Sequence, residues 1–145
     1  MTEPRATVSQ RSTIPRTIGR VALGVFLVFA GVSHLTFARQ EFTAQVPDWL
    51  PASKDAVVLA SGAVEISLGL ALLLLRKRRV SVGWVVAAFF VAVFPGNISQ
   101  YVTHSDAFGL DTDRARGIRL LFQPLLVLWA LWSTGAWRAW RTRKN

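Results

Sequence analysis

Residues 61–75, SGAVEISLGLALLLL, read as an unbroken apolar helix, yet they carry the carboxylate of Glu65 with no basic residue within ten positions on either side. A charge placed this way is costly in an apolar setting unless a neighbouring segment supplies a partner. The rest of the chain has to be read for that partner.

The surrounding sequence repeats the apolar theme. In 145 residues, 52% are hydrophobic and the mean hydropathy is +0.36, high for a chain with room for one domain. The apolar residues gather into four stretches, 18–37, 56–75, 80–98 and 118–137. Each is close to the ~20 residues that span roughly 30 Å of hydrocarbon as a helix. The expected fold is all-α: an integral membrane four-helix bundle over 18–137, antiparallel and up-down. A basic leader (1–17) precedes it and a basic tail (138–145) follows. The link Arg76-Lys77-Arg78-Arg79 predicts a tight hairpin between the second and third helices.

The net charge of +9 suggests nucleic acid until the basic residues are placed. Twelve of the seventeen lie on one side: Arg5, Arg11, Arg16 and Arg20 before or at the first span, four in the hairpin, and Arg138, Arg141, Arg143 and Lys144 in the tail. The opposite loops, 38–54 and 99–117, hold five of the eight acids, and Asp55 adjoins the first of them. This asymmetry is what the positive-inside rule demands, so it predicts both termini in the cytoplasm and removes the case for nucleic acid. Trp49 on one side and Trp84, Trp137 and Trp140 on the other sit where interfacial aromatic belts are expected. With no cysteine, dithiol relays, iron–sulfur clusters and CxxCH haem attachment are excluded, so a redox role needs a bound carrier or a partner protein.

Polar residues inside the spans are few: His34, Glu65, Asn97, Arg119 and Gln123. Helical side chains lean toward their own N-terminus, which brings all five toward one level in the outer half of an alternating bundle. Gly24, Gly31 and His34 share a helical face, as do Gly62, Glu65 and Gly69. The small residues allow close helix approach and leave space beside the carboxylate. Pro95 and Pro124 break the backbone ladder near this level, Pro124 freeing the carbonyl of Leu120. Two readings stand side by side for Glu65 with Arg119: a structural ion pair that fixes helix register, or a ligand- or proton-handling site. His34 could serve either by bonding Glu65 or a carbonyl. A bis-histidine haem would need His104, which lies in a polar loop, and His34 with Glu65 supplies too few ligands for a metal.

Gly31-x-x-His34, Phe42-Thr-Ala-Gln-Val-Pro47-Asp-Trp-Leu-Pro51, Ser61-Gly62-x-x-Glu65, Phe94-Pro95-x-Asn97 and Arg119-Leu-x-x-Gln123-Pro124 follow one another in this order. Over residues 18–135 the chain resembles the DoxX-like family of small bacterial membrane proteins. The resemblance implies a four-helix bundle in the bacterial cytoplasmic (inner) membrane. It also implies association with quinone-linked oxidoreductases or with oxidative-stress proteins. Three roles follow as expectations: a non-catalytic redox component whose cluster meets a quinone, a membrane scaffold whose cluster is structural, and a small-molecule transporter. Expected partners are the lipid bilayer and redox or stress-response proteins.

Overall fold

A computed structural model describes residues 12–144; Arg5, Arg11 and most of the expected leader, together with Asn145, lie outside the described residues. Among the described residues there are helices and turns and no strand. Four helices are long and apolar enough to cross a membrane: α1 (Ile14–Leu35), α3 (Lys54–Leu74), α4 (Arg79–Val102) and α5 (Asp113–Thr134). Two short helices were not expected, α2 (Arg39–Thr43) and α6 (Ala136–Arg143).

Local chemistry sets the helix ends. Pro15 stands in the first turn of α1, where its missing N–H is no loss. The hydroxyls of Ser53 and Thr112 accept from Ala56 N and Ala115 N, and Asp55 and Asp113 complement the positive ends of α3 and α5. Gly135, at φ 76°, stops α5 and starts α6 in a conformation that suits glycine. The expected fourth span of 118–137 is thereby corrected: the apolar run continues to Trp137, but the helix ends at Thr134. α1 likewise starts before residue 18, so Arg16 and Arg20 belong to it. Arg20 is buried and donates to the carbonyl of Leu72 in the last turn of α3, so it is more than a flanking charge.

The packing is uneven. α1 lies antiparallel against α3 and α4 against α5, with α1–α5 contacts joining the two pairs, while α3 and α4 touch lightly. The expected tight hairpin is therefore tight only at its turn, a single 3₁₀ turn at Arg76–Arg78. Glycines explain the α1–α3 intimacy. A Cβ on Gly31 would come within 2.6 Å of the Gly62 carbonyl oxygen, and a Cβ on Gly69 within 2.7 Å of the Gly24 oxygen. Two backbone-to-backbone approaches seven residues apart on each helix thus fix the register.

The buried apolar core occupies one half of the bundle. Leu23, Leu27, Leu72, Val82, Val86, Phe90 and Leu131 gather toward the end bearing the basic turn and α6. Toward the other end, where the 36–53 and 103–112 loops lie, the buried side chains are largely polar: His34, Glu65, Asn97, Gln100, Arg116 and Gln123. The outward faces are apolar instead, with Phe29, Val91, Leu121 and Leu125 each more than half exposed.

Substituting Gly31 with Ala should remove about 1–3 kcal/mol of stability by overpacking against backbone that cannot yield. Gly117→Ala, whose Cβ would meet only Tyr101 at 3.6 Å, should be neutral or gain about 0.5–1 kcal/mol. Thermal unfolding of the detergent-solubilised variants reads both; equal melting shifts would refute the glycine-contact account.

Candidate functional site

The glycine register places His34 against α3, where a Cβ on Gly62 would lie 2.8 Å from the His34 Cβ. One turn further along α3, Glu65 brings its Oε2 to 2.9 Å from His34 Nδ1. Nδ1 is also 2.8 Å from the Ala30 carbonyl oxygen. One N–H cannot point at both. The hydrogen-bond geometry is satisfied at Ala30 O, so the short His34–Glu65 approach is a close contact rather than an aligned hydrogen bond. Glu65 Oε2 is left buried without a hydrogen-bond donor. A buried carboxylate oxygen in that condition is unfavourable unless something else fills the role.

A partly enclosed cleft of about 220 Å³ faces this carboxylate. It sits in the loose seam between α3 and α4, lined by Val57, Ser61 and Glu65 from α3 and by Val93, Gly96 and Asn97 from α4. His34 and Arg119 reach it from α1 and α5. Four of the five polar residues read from the sequence thus border one space. Gln123 stands behind it as a brace: Asn97 Nδ2 donates to Gln123 Oε1 at 3.0 Å, and Gln123 Nε2 donates to the Phe90 carbonyl at 2.5 Å. Arg119 Nη1 lies 3.4 Å from the same Gln123 oxygen. Among the described residues Arg119 has no carboxylate within 4.0 Å. The direct Glu65–Arg119 ion pair considered from the sequence is not formed; His34 occupies the carboxylate's flank.

Pro95 and Pro124 lie inside α4 and α5, both of which continue through them. Pro95 lines the cleft, and Pro124 faces the opposite side of the α4–α5 pair in an apolar groove with Val91 and Phe94.

The loops form a lid. The Phe42 ring stacks on His34 with centroids 3.3 Å apart, and Phe108 meets Phe42 edge-on at 4.6 Å. Phe108, at φ 56°, donates its backbone N–H to Glu41 Oε2 at 2.6 Å. Gln45 Nε2 donates to buried Gln100 Oε1 at 2.9 Å. Gly96 lets the Gln45 carbonyl approach α4, since a Cβ there would be 3.1 Å from it. Arg116 is buried and gathers the second loop by donating to Ser105 O, Asp113 and Asp106. At the lid's exposed edge Arg39 pairs with Asp55, whose acceptance of its N–H bonds raises the arginine pKa above the ordinary value.

Phe42, Gln45, Gln100 and Arg116 were not chosen from the sequence. Gln100 had a usable signal, three residues after Asn97 on the same helical face. Phe42 and Gln45 stood in the 42–51 motif, which did not say what they would cover. His104 pairs with Asp113 at 2.7 Å in the second loop, apart from His34. Among the described residues no group of three or more His, Asp or Glu side chains is placed to hold a metal ion.

These features define a four-helix apolar bundle with a polar cleft under a loop lid. The chain belongs to the family described as Domain of unknown function (DUF8561), whose model matches residues 23–134, a stretch that contains all five polar positions. No curated protein and no solved structure matches it.

Asn97→Leu and Gln123→Leu should each destabilise the bundle by about 1–3 kcal/mol, since each leaves the other amide without its partner. The double variant should lose clearly less than their sum. Additive losses in chemical or thermal unfolding would show that the amide pair is not coupled.

Proposed function

We propose that the protein is a multi-pass protein of a bacterial inner membrane whose cleft takes the head group of a lipophilic carrier such as a quinone. In this reading it is a component of a redox or oxidative- and sulfur-stress system that draws its electrons from a partner protein. Four helices of spanning length with apolar outward faces support the membrane setting. The basic turn and tail support N-in, C-in orientation. The resemblance to the DoxX-like family agrees with both.

One observation carries the ligand reading: Glu65, whose Oε2 is buried without a donor, lines the cleft together with Arg119, which has no carboxylate within 4.0 Å among the described residues. A hydroquinone O–H would donate to Glu65, and a quinone carbonyl would accept from the N–H groups of Arg119 that Gln123 leaves free. The apolar flank of Val57, Val58 and Val93 suits a ring between these polar poles. About 220 Å³ is below the roughly 300–1,000 Å³ of sites that engulf drug-sized ligands. It fits a single-ring head whose tail stays outside. Two-electron reduction of a quinone also takes up two protons, and a carboxylate at the ring oxygen is a group that can exchange one.

The scaffold reading has one observation in its favour. The Asn97–Gln123–Phe90 chain of bonds satisfies its own members and ties α4 to α5. It accounts for those two residues and leaves Glu65 without a reason.

Mass spectrometry of small molecules extracted with the mildly solubilised protein tests the proposal. Wild-type protein should carry quinone, and Glu65→Gln, which keeps the shape but cannot titrate, should lose it by roughly tenfold or more, about 1.4 kcal/mol, at unchanged folded yield. Equal retention by both, or no quinone on the wild type, would overturn it. For orientation, a reporter that works only in the cytoplasm should be active when fused after the last residue and silent near Ser105; the reverse pattern would contradict N-in, C-in.

A further inference from the structure

A second cavity of about 220 Å³ lies at the opposite end of the bundle, where the start of α1, the end of α5 and the start of α6 meet. Its walls are apolar, from Leu128, Leu131, Trp132 and Trp137, and two arginines, Arg16 and Arg138, stand on its rim. Among the described residues neither arginine has a carboxylate within 4.0 Å. Two guanidiniums converging on a space without an acid of their own leave positive charge for an outside anion.

The chemistry of the walls says which anion. From the cavity an exposed apolar stripe runs along α5 through Leu121, Leu125, Leu128 and Trp132, and α1 flanks it with Ile18, Val21 and Val25. A free phosphate would have no use for such a surface, whereas an acyl chain would lie along it. On the far side α6 bears Trp137, Trp140, Arg141 and Arg143, and Lys144 follows at its end with Nζ 4.2 Å from the Trp140 ring centre. Tryptophans beside cations are the composition of a helix lying at a headgroup layer. We infer that this cavity is a binding site for one anionic phospholipid, its phosphodiester held between Arg16 and Arg138 and an acyl chain laid along α5. The break at Gly135 creates the site, because it turns α6 aside and sets Arg138 facing the start of α1. The inference rests on the membrane-spanning reading and is independent of the quinone.

The test must separate a built site from general attraction between a basic protein and anionic lipid. Native mass spectrometry of the full-length protein in mild detergent, titrated with phosphatidylglycerol or phosphatidylcholine, gives bound lipid directly. Wild type should retain phosphatidylglycerol in preference to phosphatidylcholine. Arg16→Gln with Arg138→Gln should weaken it roughly 30-fold, taking the usual contribution of two arginines near an anionic surface. Arg76→Gln with Arg78→Gln removes the same charge from the exposed turn and should change retention by less than about threefold, the range expected of charges remote from the site. Equal loss from both pairs would mean net charge alone and overturn the site. Displacement by inorganic phosphate at equal concentration would assign the cavity to a free anion and also overturn it. If the double variant does not purify, Arg138→Gln against Arg78→Gln makes the same comparison, both side chains being exposed. Failure of the protein to fractionate with membranes would remove the membrane reading itself, a result distinguishable from the loss of this site alone.

Discussion

The close approach of α1 and α3 at Gly24–Gly69 and Gly31–Gly62 is the constraint on which the other features depend. Where backbone meets backbone, register cannot slide: a shift of one residue would bring a Cβ into a carbonyl already within about 3 Å of the glycine's own Cβ position. That register sets His34 beside Gly62 and within 2.9 Å of Glu65. It also turns the small-residue face of α3 toward α1, leaving the face with Val57 and Ser61 toward α4 without a tight fit. The close pair and the loose seam are two consequences of one placement of glycines.

The bundle is divided along its length. In the half that ends in the basic turn, Leu, Val and Phe side chains interlock and give a single packed arrangement. In the other half, polar side chains hold the helices by directed bonds: Gln123 braces Asn97 and the Phe90 carbonyl, and Arg116 gathers the second loop. Apolar packing tolerates small rearrangements, but a polar network is favourable only when its members are satisfied. Glu65 Oε2 is the member left buried without a donor, and Glu65 is among the residues that line the cleft. The cleft therefore lies where the packed half can anchor it and where its own wall still has bonding capacity to offer.

The four long helices were legible because hydropathy and length carry them, and the five polar positions because each is conspicuous in an apolar run. Their meeting was legible too: side chains on alternating helices lean toward a shared level, which offset differences in backbone depth. Which helices would pair was not. Glycines on the same face as His34 and Glu65 marked close approach without naming the partner, and the short 76–79 link pointed to α3–α4, which touch only lightly. The helix stop at Gly135 was hidden because Ala136 and Trp137 continue the apolar run past it. Phe42 and Gln45 carry no periodicity, so their place over His34 and Gln100 emerges only once the loops fold back.

The cleft beside Glu65 is bordered on one side by the loops and on another by the α3–α4 seam, and the two sides are held differently. Opening the lid means parting the Phe42–His34 stack, the Gln45–Gln100 bond and the charge-assisted bond from Phe108 to Glu41. Ordinary bonds contribute about 0.5–1.5 kcal/mol each, and bonds to a charged group about 1.5–3 kcal/mol, so the lid resists by several kcal/mol together. On the seam side α3 and α4 touch only lightly, and widening the cleft there would begin with rotamer changes of Val57 and Val93, which line it. Rotamer changes of that kind are fast and small in energy. On the proposed reading, a carrier dissolved in lipid would approach from this side, along apolar walls. In that reading the loops cover the cleft from the other side, with Phe42 stacked on His34, and the seam is the side left to a ligand of Glu65.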